Sequence, residues 1–167
     1  MSFLEYRTAA IYHATRAVLC RIHAVQTRFL KDVVIDEVTA LAEFHLAPLA
    51  TRRDIAMLGL IHRTALSKGP PQFKEFFKRQ PHGKALHDPR KDSTAPLFKR
   101  SALGLVAIYN MLPPSVLAAK SVSVFQRGLQ ECVVKFATTG FPQWSEVFSP
   151  RLPLSSHPLV VHSQVLA

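Results

Sequence analysis

SVSVFQRGLQECVVKFATTG, residues 121–140, carries the strongest helical signal in the chain. Val122, Phe125, Leu129, Val133 and Phe136 follow one another at steps of 3, 4, 4 and 3 residues, which sets them on one face of a helix. Ser121 stands where its hydroxyl caps the first turn, and Thr139-Gly140 ends the run. Just upstream, residues 101–119 read SALGLVAIYNMLPPSVLAA, with no charge over 19 positions. A membrane span needs about 20 apolar residues in one continuous helix. Asn110 and the Pro113-Pro114 pair break this run, so it reads as a buried helix at about 98–111 followed by a stop.

Farther upstream, Thr51-Arg52-Arg53-Asp54 fits a capping box, with the Thr51 hydroxyl expected to accept the Asp54 backbone N–H. Ile55, Leu58, Ile61 or His62, and Ala65 then repeat at helical spacing. Ser67-Lys68-Gly69-Pro70-Pro71 is the stop, with Gly69 suited to a left-handed cap. Gly59, inside this helix, costs about 1 kcal/mol of intrinsic stability relative to Ala and is expected where another helix packs closely. Asp36 caps a short helix running to about Phe44, with Glu37 favourable in its first turn.

The first third reads as a long helix, either continuous or broken. Val18, Ile22, Val25 and Phe29, at steps of 4, 3 and 4, are expected to form its core stripe. Arg16, Arg21, Arg28 and Lys31 fall largely off that stripe. Residues 68–100 differ from the rest, with nine basic residues, three acidic ones and five prolines. A short helix is expected at about 71–79, edged by Phe73, Phe76 and Phe77, with at least two of Phe73, Phe76, Phe77 and Phe98 facing the core. The expected architecture is all-α: an irregular bundle of about five to seven helices. Residues 1–148 form a single helical domain with an exposed basic, Pro-rich loop at about 80–97, and residues 149–167 form a flexible tail.

The chain has 167 residues, 48% hydrophobic and 19% charged, enough to build one core. Its 21 Lys and Arg against 11 Asp and Glu give a net charge of +10, which favours polyanionic partners, nucleic acid first. Two cysteines, Cys20 and Cys132, exclude a disulfide scaffold and a four-Cys zinc site. The start shows no secretory signal, because Glu5 and Arg7 interrupt it. The eight histidines lack metal-ligand spacing, no Gly-rich phosphate loop precedes a Lys-Ser or Lys-Thr, and the aspartates are scattered. No active site, metal or cofactor is therefore expected, and no membrane. Charge clustering and helix faces nominate Arg52, Arg53, Lys74, Lys78, Arg79, Lys99 and Arg100 as phosphate contacts, with the interleaved phenylalanines available to stack on unpaired bases.

The order of several motifs resembles a family. Leu4-Glu5-Tyr6 and Val25-Gln26-Thr27-Arg28-Phe29-Leu30 come first. Arg52-Arg53-Asp54-Ile55 with Leu58 and Leu60 follows, then a Gly-Pro-Pro and Phe-rich segment, then Arg100-Ser101. Tyr109-Asn110-Met111-Leu112-Pro113 and Ser121 with Phe125 and Leu129 complete the series. Over about residues 2–136 this resembles the region after the polymerase core, thumb and beyond, in non-LTR (LINE-like) retrotransposon reverse transcriptases. Tyr109 stands where that pattern often has Trp, and the Cys/His knuckle of some members is absent. The resemblance implies a non-catalytic piece of an RNA-directed DNA polymerase, without its paired aspartates or endonuclease site, and an arbitrary start at Met1. It implies binding to template RNA or target DNA, the upstream polymerase domain of the same element as a further partner, and an intracellular, nuclear or cytoplasmic, non-secreted location. The rival expectation is a protein-interaction module or orphan relic fragment with no independent activity.

Overall fold

The computed structural model describes residues 8–77, 85–88, 98 and 101–161. Four helices come first: α1 (Thr8–Tyr12), α2 (Arg16–Asp32), α3 (Glu37–Phe44) and α4 (Leu49–Ala65). A 3-10 turn at Pro71–Phe73 follows, and another at Ala102–Gly104 leads into α5 (Leu105–Asn110). Then come α6 (Pro114–Leu117), α7 (Val122–Thr138), 3-10 turns at Trp144–Glu146 and Leu154–Ser156, and α8 (Pro158–Val161). No β-strand element occurs among the described residues, and the chain is an all-α irregular bundle as expected.

The bundle is built around α4 packed on α7. Phe125, Leu129, Val133 and Phe136 of α7 are completely buried, as are Leu58 and Ile61 of α4 and Leu105, Val106 and Ile108 of α5. Each such side chain contributes about 1.5–3 kcal/mol by leaving water, so this contact dominates the stability of the fold. The Ser121 hydroxyl accepts the Val124 N–H at 3.3 Å and starts α7, and Gly140, at φ 73°, closes it. Gly59 sits where the two helices approach: a Cβ there would meet Val122 Cγ1 at 3.3 Å and Gln126 Nε2 at 2.6 Å. His62 is buried in the same contact, stacked on Phe125 at 4.0 Å between ring centroids. Its Nδ1 lies 2.9 Å from the Tyr109 hydroxyl and its Nε2 lies 2.9 Å from the Ala119 carbonyl. That carbonyl can only accept, so Nε2 carries a proton.

Asp36 caps α3 as expected: its carboxylate accepts the N–H groups of Val38 and Thr39, both at 2.9 Å. Those bonds hold its carboxyl below the ordinary value, the Thr39 hydroxyl acting most strongly.

Five expectations are corrected. The stripe Val18, Ile22, Val25 and Phe29 does not face the core: Val18, Val25 and Phe29 are exposed, Val25 to 63%. The inward side of α2 is the series one residue on, with Gln26 and Leu30 buried and Leu19 and His23 half-buried. Gln26 explains the choice. Pro48, at the start of α4, has no side chain able to cap it, and Gln26 does that work from outside. Its Oε1 accepts the Leu49 N–H at 2.8 Å and its Nε2 donates to the Ala47 carbonyl at 3.1 Å. Second, Thr51 is no cap: α4 already begins at Leu49, and the Thr51 hydroxyl donates to the Ser145 carbonyl at 2.6 Å. Third, the left-handed residue after α4 is Ser67, at φ 60°, rather than Gly69. Gly69 is instead forced by proximity, since a Cβ there would collide with Thr64.

Fourth, part of the loop expected at about 80–97 is pinned. Leu86 is completely buried, and the Asn110 side chain clamps it, accepting its N–H at 2.9 Å and donating to its carbonyl at 2.8 Å. Of that segment only residues 85–88 belong to the described residues. Fifth, the segment expected as a flexible tail is packed as far as it is described. His157 and Leu159 are buried, Leu159 joins the main core, and Arg151 donates to the carbonyls of Tyr12 and Ala14 at 3.3 and 3.1 Å. Residues 162–167 of the tail lie outside the described residues.

Candidate nucleic-acid interface and a buried arginine cluster

The segment after α4 turns sharply at Pro70-Pro71 and lays three phenylalanines against the bundle. Only the 3-10 turn Pro71–Phe73 forms in place of the helix expected to about 79; Lys78 and Arg79 lie outside the described residues. Phe77 is buried, Phe73 is half-buried with its ring centroid 6.1 Å from that of Phe77, and Phe76 is 52% exposed. Together with Met57 and Leu60 of α4 and Leu103 these rings line an apolar groove of about 240 Å³. Lys74 is exposed on the same turn, beside Glu75.

The nominated phosphate contacts therefore divide. Lys74 is exposed. Arg52 is half-buried on α4. Arg53 is only 6% exposed and cannot reach a polynucleotide backbone lying on the surface, so that assignment is corrected. Lys78, Arg79, Lys99 and Arg100 lie outside the described residues. Arg16, Arg21, Arg28 and Lys31, which are not among those seven residues, are all exposed on α2, a helix with no acid before Asp32. Their spacing off the apolar stripe is the sequence signal for them, and it leaves this basic rim open to either a solvated face or a binding one.

Arg53 belongs instead to a polar cluster at the junction of α1, the first turns of α4 and the segment after α7. The Tyr12 hydroxyl donates to Asp54 Oδ1 at 2.9 Å. Asp54 is buried, and burial pushes its carboxyl up to about 7 against the opposing effects of the Tyr12 bond, Arg53 and Arg151. Burial likewise raises the Tyr12 hydroxyl well above its ordinary value and lowers Arg53. Arg16 pairs with Glu146 at 3.8 Å. These groups line a partly open cavity of about 160 Å³, walled by Leu19, Pro48, Ala50 and Leu152. Cys20 is exposed at its rim, while Cys132 is buried and its thiol is pushed up by burial.

Among the described residues no group of three or more His, Cys, Asp or Glu is placed to hold a metal ion. Among the same residues no helix is long and apolar enough to cross a membrane. No family model, no curated protein and no solved structure matches this chain.

Proposed function

We propose that this chain is a non-catalytic, nucleic-acid-binding segment from the C-terminal side of a retrotransposon reverse transcriptase, gripping template RNA or target DNA while chemistry occurs in another domain. The observation that carries this reading is the aromatic groove. It holds a half-exposed phenylalanine, Phe76, on the same short turn as the exposed Lys74. An exposed ring offers a stacking platform for an unpaired base, worth about 1–3 kcal/mol per base, and neighbouring cations track the phosphates. The three phenylalanines of the groove come from residues 68–100, the most basic part of the sequence, and the motif order resembling the reverse transcriptases passes through that segment.

A second reading, an interaction module, is favoured by the exposed apolar residues Val18, Val25 and Phe29 on α2. One experiment separates the two: binding of the full chain to labelled single-stranded RNA across a salt series, with sedimentation at the same concentrations. On the first reading, log K falls with log salt at about −0.7 per phosphate contacted. Phe76→Ala then weakens binding by roughly 5- to 150-fold at every salt concentration, and Lys74→Glu flattens the slope. Affinity and slope unchanged in both variants would remove the groove. Self-association without RNA binding would favour the interaction module.

A further inference from the structure

The cavity beside Arg53 shares no lining residue with the aromatic groove and plays no part in the proposed function. Its charged groups are unevenly satisfied. The Asp54 carboxyl accepts from Tyr12, Glu146 pairs with Arg16, and Arg151 is spent on the carbonyls of Tyr12 and Ala14. Arg53 is more than nine-tenths buried, lines the cavity, and makes no hydrogen bond or close ion pair among the described residues. Burying an ion costs several kcal/mol, and the attraction of Asp54 and Tyr12 offsets only part of that cost for Arg53, whose guanidinium is still lowered by burial.

We infer that this cavity is a phosphate site, taking a small phosphomonoester whose phosphate meets the Arg53 guanidinium and whose organic part lies against Leu19, Pro48, Ala50 and Leu152. The guanidinium is a planar fork that matches phosphate oxygens in pairs. Arg16 and Arg151 stand on the same cavity and add positive charge, which favours a dianion over a singly charged carboxylate. The two carboxylates present do not forbid it. Glu146 is already paired, and Asp54 is about half protonated near neutral pH. The apolar walls and partial closure suit a small ligand or a chain end rather than the interior of a polynucleotide.

The test is thermal unfolding of the full chain with inorganic phosphate, phenyl phosphate and benzoate. A ligand that binds only the folded state raises Tm in a saturable way. Phenyl phosphate is expected to raise Tm at lower concentration than inorganic phosphate, which lacks the organic part, and benzoate is expected to do nothing. Arg53→Met is expected to abolish the phenyl phosphate shift while leaving the ligand-free protein about as stable, because the desolvated guanidinium, which burial disfavours more than Asp54 and Tyr12 favour it, is gone. Should that variant fail to fold, Arg16→Gln tests the same site through a side chain that is 77% exposed. It is expected to weaken phenyl phosphate by roughly tenfold. The inference is overturned if neither phosphate gives a saturable shift, if benzoate matches phenyl phosphate, or if both variants respond as the parent chain does. Equal effects of the two phosphates would discard the organic part and leave a site for free phosphate.

Discussion

Asp54 is a carboxyl whose proton is nearly at equilibrium with neutral solution, because the fold has removed it from water and supplied one hydroxyl donor. Its folded value of about 7 stands above the 3.8 of an unperturbed aspartate. The folded state therefore binds the proton more tightly than the unfolded state does. The stability this confers is complete below about pH 4 and is lost as pH rises toward 7, with little further change above that. Three pKa units correspond to something on the order of 4 kcal/mol. Asp54→Asn keeps an acceptor for Tyr12 and cannot ionise, so it is expected to lack this decline and to exceed the parent chain in stability at about pH 8. Urea unfolding of both chains at about pH 5 and about pH 8 measures the difference. An equal decline in the variant would assign the pH dependence to another group. Arg53, next in sequence, shows the limit of reading charge from sequence. An arginine between Arg52 and Asp54 looks like a surface cation until Tyr12, Arg151 and the cavity are placed around it.

Helices α4 and α7 were legible because each buries a stripe rich in large apolar side chains, leaving little choice of face. In α2 two stripes with the same 4, 3, 4 steps compete, one turned about 100° from the other. The apolar one lost and the one containing Gln26 won. The deciding energy lies in the N–H of Leu49, an orphan at a helix start that begins with proline, and no periodicity within α2 reports it. Tyr109 and Asn110, read as part of a family pattern, likewise turn out to act through partners distant in sequence, His62 and the backbone of Leu86. Gly59 lies at a close approach of α4 to α7, and substitutions there grade the contact. Gly59→Ala is expected to be nearly neutral: the gain of about 1 kcal/mol in helix propensity offsets displacement of the Gln126 amide, the far end of a flexible side chain. Gly59→Val is expected to lose about 1–3 kcal/mol, because its branches reach Val122. Chemical denaturation of the two variants checks the order, and a tolerated valine would show that the helices can slide apart.

The molecule closes on itself through its last described segment. Leu159 completes the core and His157 is buried beside it, its Nε2 3.2 Å from the Ser149 carbonyl. A chain ended at residue 148 loses these groups together with Arg151. It is expected to be less stable than the full chain by at least 2–5 kcal/mol, roughly the cost of truncating one large core side chain. Urea midpoints of the two lengths measure the loss, and equal midpoints would return the segment to the loose tail that its prolines suggest. The sequence misled here because Pro150, Pro153 and Pro158 forbid long helices without forbidding burial: Pro150 and Pro158 are themselves buried.

Arg151 holds the carbonyls of Tyr12 and Ala14 from 139 and 137 positions along the chain. On a ribosome adding about 5–20 residues per second, Tyr12 emerges on the order of ten seconds before the residue that fastens it. During that interval α1 has no clasp, the α4 hydroxyl of Thr51 has no Ser145 carbonyl to meet, and the apolar surface of α4 waits for α7. Until those later residues emerge, the growing chain leaves apolar surface exposed, so closure of the bundle waits on its downstream segments and not on α1.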